Sequence, residues 1–150
     1  MELMTLYHGT AWNFDRFEDF PHFFTPDFKA AEAYARMSSV PVEQWVGMVV
    51  IEVAVDVSNY IEITREQFLS RFGDIDLQDM ESQYFVNELF KPENLRFDGL
   101  ILRQTRDYMG PGQDGGWSQT GVYDQVVVRR PDLLKFVRKI EILPTNAEVA

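Results

Sequence analysis

The sequence predicts a single α+β domain, a mixed β-sheet with a few flanking helices, and three observations lead there. Strand-like segments outnumber helical ones, and the helices fall early in the chain. No repeat, low-complexity segment or linker divides the 150 residues, a length that suits one core. Aromatic residues make up 14% of the chain, 12 of them phenylalanine, and such side chains supply the large buried area that one core needs.

The elements follow in order. Residues 3 to 7 read as a short strand running into a loop through "HGTAWNFDRF". Phe23 and Phe24 form a second, buried strand. Thr25 suits an N-cap, Pro26 the first helical position and Asp27 the positive end of the helix dipole, so a helix is expected over residues 26 to 37. Its small face of Ala30, Ala31, Ala33 and Ala35 allows close approach to a sheet. The stretch "WVGMVVIEVAVDVSNYIEI" is rich in β-branched residues and alternates through residues 53 to 57, which predicts a long strand with a polar edge. "TREQ", residues 64 to 67, has the capping-box pattern, and Gly73 suits the end of that helix. Another helix is expected over residues 77 to 90, stopped by Pro92. "FDGLILRQ" is the next strand. Residues 105 to 121 hold five glycines and one proline and read as a long polar loop, which compact domains rarely keep without a use. The strands "VYDQVVV" and "FVRKIEIL", joined by "RRPDLLK", complete the sheet, and residues 144 to 150 form a tail.

Composition excludes several functions. A formal net charge of -10 argues against a nucleic-acid partner, because phosphate contacts need clustered Lys and Arg to displace counterions. The densest basic stretch, residues 129 to 139, is broken by Asp132 and by Leu133, Leu134, Phe136 and Val137. Without cysteine there is no disulfide, zinc ribbon or thiol catalysis, and two histidines make poor material for a zinc site, so no metal is expected. The opening "MELMTLYHGT" has neither the basic end nor the apolar run of a secretion signal. The longest apolar stretch, residues 45 to 55, contains Glu52 and is too short for a bilayer. The expectation is a cytoplasmic protein with no membrane partner.

Four features, taken in order and spacing, carry a resemblance. They are "YHGT" at residues 7 to 10, the aromatic pair Phe23 and Tyr34 eleven residues apart, the glycine-rich stretch 106 to 121, and the strand "VYDQVVV" that follows it. Together they resemble the ADP-ribosyltransferase superfamily, in the branch shared by diphtheria-like toxins and poly(ADP-ribose) polymerases. "YDQVVVRRPDLLKFV" is also similar to the C-terminal end of small transferase domains in phage and mobile-element proteins. The likeness spans about residues 7 to 137, and "YHGT" is its specific part.

The resemblance implies a split mixed β-sheet and an enzyme that moves ADP-ribose from NAD to a macromolecular acceptor, a protein given the charge, with release of nicotinamide. It implies that His8 hydrogen-bonds the adenosine-side ribose, and that Gly9 offers its main chain to the nicotinamide carboxamide, which a residue without a side chain permits. Thr10 would brace the turn or add a ribose contact, and the rings of Tyr34 and Phe23 would stack on the nicotinamide. Departure of nicotinamide leaves an oxocarbenium-like ribose, so an anionic or hydrogen-bonding group beneath that sugar lowers the barrier. The family uses a glutamate, which also takes a proton from the acceptor. Gln125 occupies its place here.

Phe23 keeps a stacking face where the family usually has tyrosine. Gln125 is the larger departure: an amide can hydrogen-bond a ribose hydroxyl, but it carries no charge and cannot act as a general base. Asp124 is adjacent, yet alternation puts residues 123, 125 and 127 on one face and 124 and 126 on the other. Three readings stay open. Gln125 suffices for catalysis, with a protein or water as acceptor; Asp124 is the working acid after a register shift; or the chain is a catalytically inactive module that binds NAD, ADP-ribose or a protein partner. His22 has no motif support and reads as structural. Trp117 reads either as an anchor for a macromolecular target or as a pin for its own loop.

Overall fold

The computed structural model describes residues 1–10, 17, 22–36, 48–77, 80, 83–110 and 119–143. In chain order they form β1 (Leu3–Thr10), β2 (His22–Phe24), α1 (Phe28–Arg36), β3 (Val49–Asp56), β4 (Tyr60–Ile63), α2 (Arg65–Phe72), α3 (Tyr84–Leu89), β5 (Gly99–Gly110), β6 (Gln119–Val128) and β7 (Lys135–Glu141). The fold is α+β with two sheets. One has the order β1-β3-β7 and is antiparallel; the other, β2-β6-β5-β4, is antiparallel except where β4 pairs parallel with β5. The sheets are tied together where the Tyr7 N–H donates to the Thr25 carbonyl at 2.8 Å and the Thr25 N–H donates back at 3.0 Å. No helix among the described residues is long and apolar enough to cross a membrane.

Three apolar clusters hold these layers. Ile51, Val53 and Val55 of β3 meet Leu6, Phe24, Ile101, Val126 and Val128 in a core shared by both sheets. On the opposite face of β3, Val50 packs with Ala31 and Ala35 of α1. Val127, Leu100 and Leu102 pack with Phe68, Phe85 and Leu89 from α2 and α3. A strand covered on both sides reads as an unbroken apolar run, which accounts for "VVI" at residues 49 to 51 and "VVV" at 126 to 128.

Several boundaries differ from the sequence reading, each for a local reason. The expected long strand is two strands in different sheets, because Asp56 Oδ1 accepts from the Ser58 N–H at 3.0 Å and from its hydroxyl at 2.7 Å. Such short polar side chains compete with the ladder and turn the chain. Helix α1 begins two residues late. Asp27 Oδ1, not Thr25, caps it by accepting from the Ala30 N–H at 3.1 Å, while the Thr25 hydroxyl donates to the Asp124 carbonyl at 2.8 Å. Helix α3 is shorter than residues 77 to 90: Arg106 of β5 pairs with Asp74 at 3.1 Å and also with Asp76, which holds the chain ahead of Leu77 against the sheet. The capping box on α2 forms as its sequence pattern indicates, with the Gln67 N–H donating to Thr64 Oγ1 at 3.1 Å and the Thr64 N–H to Gln67 Oε1 at 2.9 Å.

The glycine-rich stretch is the largest revision. β5 runs to Gly110 and β6 begins at Gln119, so much of the expected loop is a β-hairpin. Residues 111–118, with Trp117, lie outside the described residues, as do residues 45–47 and 144–150.

Candidate functional site

A cavity of about 440 Å3 lies where β1, β2, α1, β5 and β6 converge, and His8, Gly9, Phe23, Tyr34 and Gln125 all line it. The motif "HGT" belongs to strand β1 rather than to a loop: His8, Gly9 and Thr10 pair with Ile51, Val50 and Val49. Thr10, at the strand's end, does not line the cavity, so the expected ribose contact has no geometric support.

His8 is fixed by its neighbours. Its Nδ1 lies 2.8 Å from the Phe23 carbonyl, an acceptor only, so Nδ1 carries the proton in the neutral ring. Phe17 meets the imidazole edge-on at 5.1 Å between centroids, and Phe24 lies tilted at 5.5 Å. Burial holds the His8 pKa below the ordinary histidine value, against the opposing pull of the Phe23 carbonyl, and the nearby His22 lowers it further. The folded-state value is therefore depressed. Its stabilising contribution is present above the unfolded value of about 6.5 and is lost as pH falls through the folded value. An NMR titration of the His8 ring should give a midpoint below that of an exposed histidine, with unfolding free energy declining over the same acid range. A midpoint at or above about 6.5 would contradict this placement.

Gly9 has a structural reason to be glycine. A Cβ there would lie 1.8 Å from the Ala31 carbonyl oxygen and 3.0 Å from the Ala35 nitrogen, so the missing side chain is what lets α1 sit on β1. Gly9→Ala is expected to destabilise the protein by about 1–3 kcal/mol, the usual range for overpacking, measured by urea unfolding; an unchanged midpoint would mean that the helix has room to move.

The polar centre of the cavity is a group that sequence reasoning missed. Asp107 is 5% exposed, and its Oδ2 accepts from the Tyr34 hydroxyl at 2.5 Å and from Gln125 Nε2 at 2.8 Å. The Tyr123 hydroxyl donates to the Tyr34 oxygen at 3.2 Å. Burial first, and then the Asp107 charge, pushes both phenols well above the ordinary tyrosine value. Both therefore stay protonated and able to donate. Burying a carboxylate costs several kcal/mol unless donors meet it, and here two converge on one oxygen.

A bulge aims Asp107 into the cavity. Leu102 pairs with Gln125 and Thr105 with Tyr123, so Arg103 and Gln104 together oppose Asp124. Leu100 and Leu102 share a face with Gln125, and simple alternation would continue that face through Gln104 and Arg106. The extra residue shifts the parity and puts Thr105 and Asp107 there instead. Gln104 takes a left-handed φ of 52°, and the site is braced. Asp124 accepts from the Gln104 N–H at 2.8 Å and from Arg103 at 3.0 Å, while Arg65 donates to the Gln104 carbonyl at 3.1 Å.

That bracing settles where Asp124 points. It does not line the cavity; its carboxylate belongs to the bulge, on the face opposite Gln125, and no register shift brings it round. The second reading of the Gln125 substitution therefore falls. His22 packs with Phe17 at 4.8 Å and with His8 at 6.3 Å between ring centroids, in keeping with a structural part.

Fold and cavity together define an α+β protein with a buried carboxylate, an amide and two phenols clustered in an aromatic-walled cavity beside a neutral histidine. No protein-family model, curated protein or solved structure matches the chain.

Proposed function

We propose that this cavity binds NAD and that the protein transfers ADP-ribose from it to a protein acceptor, releasing nicotinamide. The observation that carries the reading is convergence. His8 on β1, Phe23 on β2, Tyr34 on α1 and Gln125 on β6 are distant in sequence, yet they line one cavity. A volume of about 440 Å3 lies within the usual range for small-molecule sites, which are ring-lined with a few placed polar groups. Phe23 and Tyr34 offer faces for a nicotinamide ring. Gln125 and Asp107 offer a donor and an acceptor for ribose hydroxyls. The net charge of -10 favours a protein over a nucleic-acid acceptor.

Incubation with NAD labelled in its adenylate half, in a cell lysate, tests this. Label appearing on protein together with an equal amount of free nicotinamide is the expected result. Nicotinamide without labelled protein would make water the acceptor. Saturable NAD binding without release would leave the binding module, the alternative that the amide at position 125 raises.

A further inference from the structure

We infer that Asp107 is the catalytic carboxylate of this site, placed on β5 one strand away from Gln125 on β6. The inference rests on the NAD reading of the cavity. Among the described residues that line it, Asp107 is the one acidic side chain. A buried carboxylate facing a cavity is weakly explained by stability, because desolvation offsets what its partners contribute. The fold also accepts a left-handed Gln104 and a broken ladder to aim it there, where regular alternation would present Arg106. Of the amide and carboxylate groups on the neighbouring strand, Gln125 has no basic oxygen pair and Asp124 faces the bulge.

The step balances with this residue in that role. The bond between C1′ of the nicotinamide-side ribose and the pyridinium nitrogen breaks, and its electron pair neutralises the departing ring. The positive charge developing on the sugar faces the Asp107 carboxylate. The nucleophilic atom of the acceptor forms the new bond to C1′, and its proton passes to Asp107 and then to water. The products are ADP-ribosylated acceptor, nicotinamide and one proton. Tyr34 and Gln125 are positioning residues, since their donors at 2.5 and 2.8 Å fix Oδ2.

Because Gln125 Nε2 lies 2.8 Å from Asp107 Oδ2, the carboxylate and amide can be exchanged between strands. The experiment compares the parent chain, Asp107→Asn and the double variant Asp107→Asn/Gln125→Glu, reading nicotinamide release, NAD binding by calorimetry and thermal unfolding. Asp107→Asn should still bind NAD measurably, since the amide keeps an acceptor oxygen, and should release nicotinamide at least about 100-fold more slowly, the scale of a lost base and charge. The exchanged pair should recover at least about tenfold of the loss. If Asp107→Asn does not fold, the exchanged pair decides alone. Parental rates in Asp107→Asn, or an exchanged pair that folds and binds NAD without recovered release, would overturn the assignment to Asp107 while leaving the NAD reading intact. NAD binding by the parent with no release would overturn the catalytic step. No NAD binding by the parent would overturn both.

Discussion

Gln125→Glu alone is expected to destabilise the protein at neutral pH instead of restoring a better enzyme. The amide it removes donates to Asp107 Oδ2 at 2.8 Å, so the new carboxylate would face another at hydrogen-bonding distance, on a residue only 5% exposed. Two such groups cannot both ionise, and the pair must share a proton, which raises one pKa strongly. A raised folded-state pKa means that the native protein holds a proton the unfolded chain has released. Stability is then full below the unfolded glutamate value of about 4.3 and is lost as pH rises through the folded value. Urea unfolding should show a deficit of about 2–4 kcal/mol relative to the parent at about pH 8, shrinking at about pH 5. A deficit that does not change with pH would mean that the amide and Asp107 are not in contact. The same pH dependence distinguishes the single change from the exchanged pair, in which only one carboxylate remains.

His8→Ala is expected to weaken NAD binding at least about tenfold, the worth of one or two polar contacts to a bound sugar. The ring is held between Phe17, Phe24 and the Phe23 carbonyl, an anchoring that leaves it little freedom to lose on binding. The resemblance implies that this ring meets the adenosine-side ribose. The loss should therefore appear with NAD and be small with nicotinamide mononucleotide, which lacks that sugar. Equal losses with both ligands, at an unchanged melting temperature, would place the adenosine half elsewhere.

Much of the fold is legible because its signals are local. The Thr64 and Gln67 capping box, the valine runs buried on both faces and the alanine face of α1 each name their element from a few neighbouring residues. The sequence motif also leads to the walls of the cavity, since His8, Phe23, Tyr34 and Gln125 lie around it. What stays hidden depends on partners far along the chain. Asp124 and Arg65, 20 and 39 residues from Gln104, brace the bulge, and no periodicity within β5 announces the change of parity. Asp107 consequently reads as loop, in a stretch where glycine and proline mask strand character. The available clue is "TRDY", four strand-compatible residues continuing "LILRQ". Thr25 misleads in the opposite direction: it is a good cap by type, but its hydroxyl donates to Asp124, and Asp27 serves α1 instead.

Calorimetric titration of the intact protein with NAD tests most directly whether residues 8, 34, 107 and 125 wall a dinucleotide site. Saturable heat at one NAD per chain, reduced in His8→Ala, is the result expected of such a site. No heat with NAD up to about millimolar concentration, the weak end of specific binding, would contradict it.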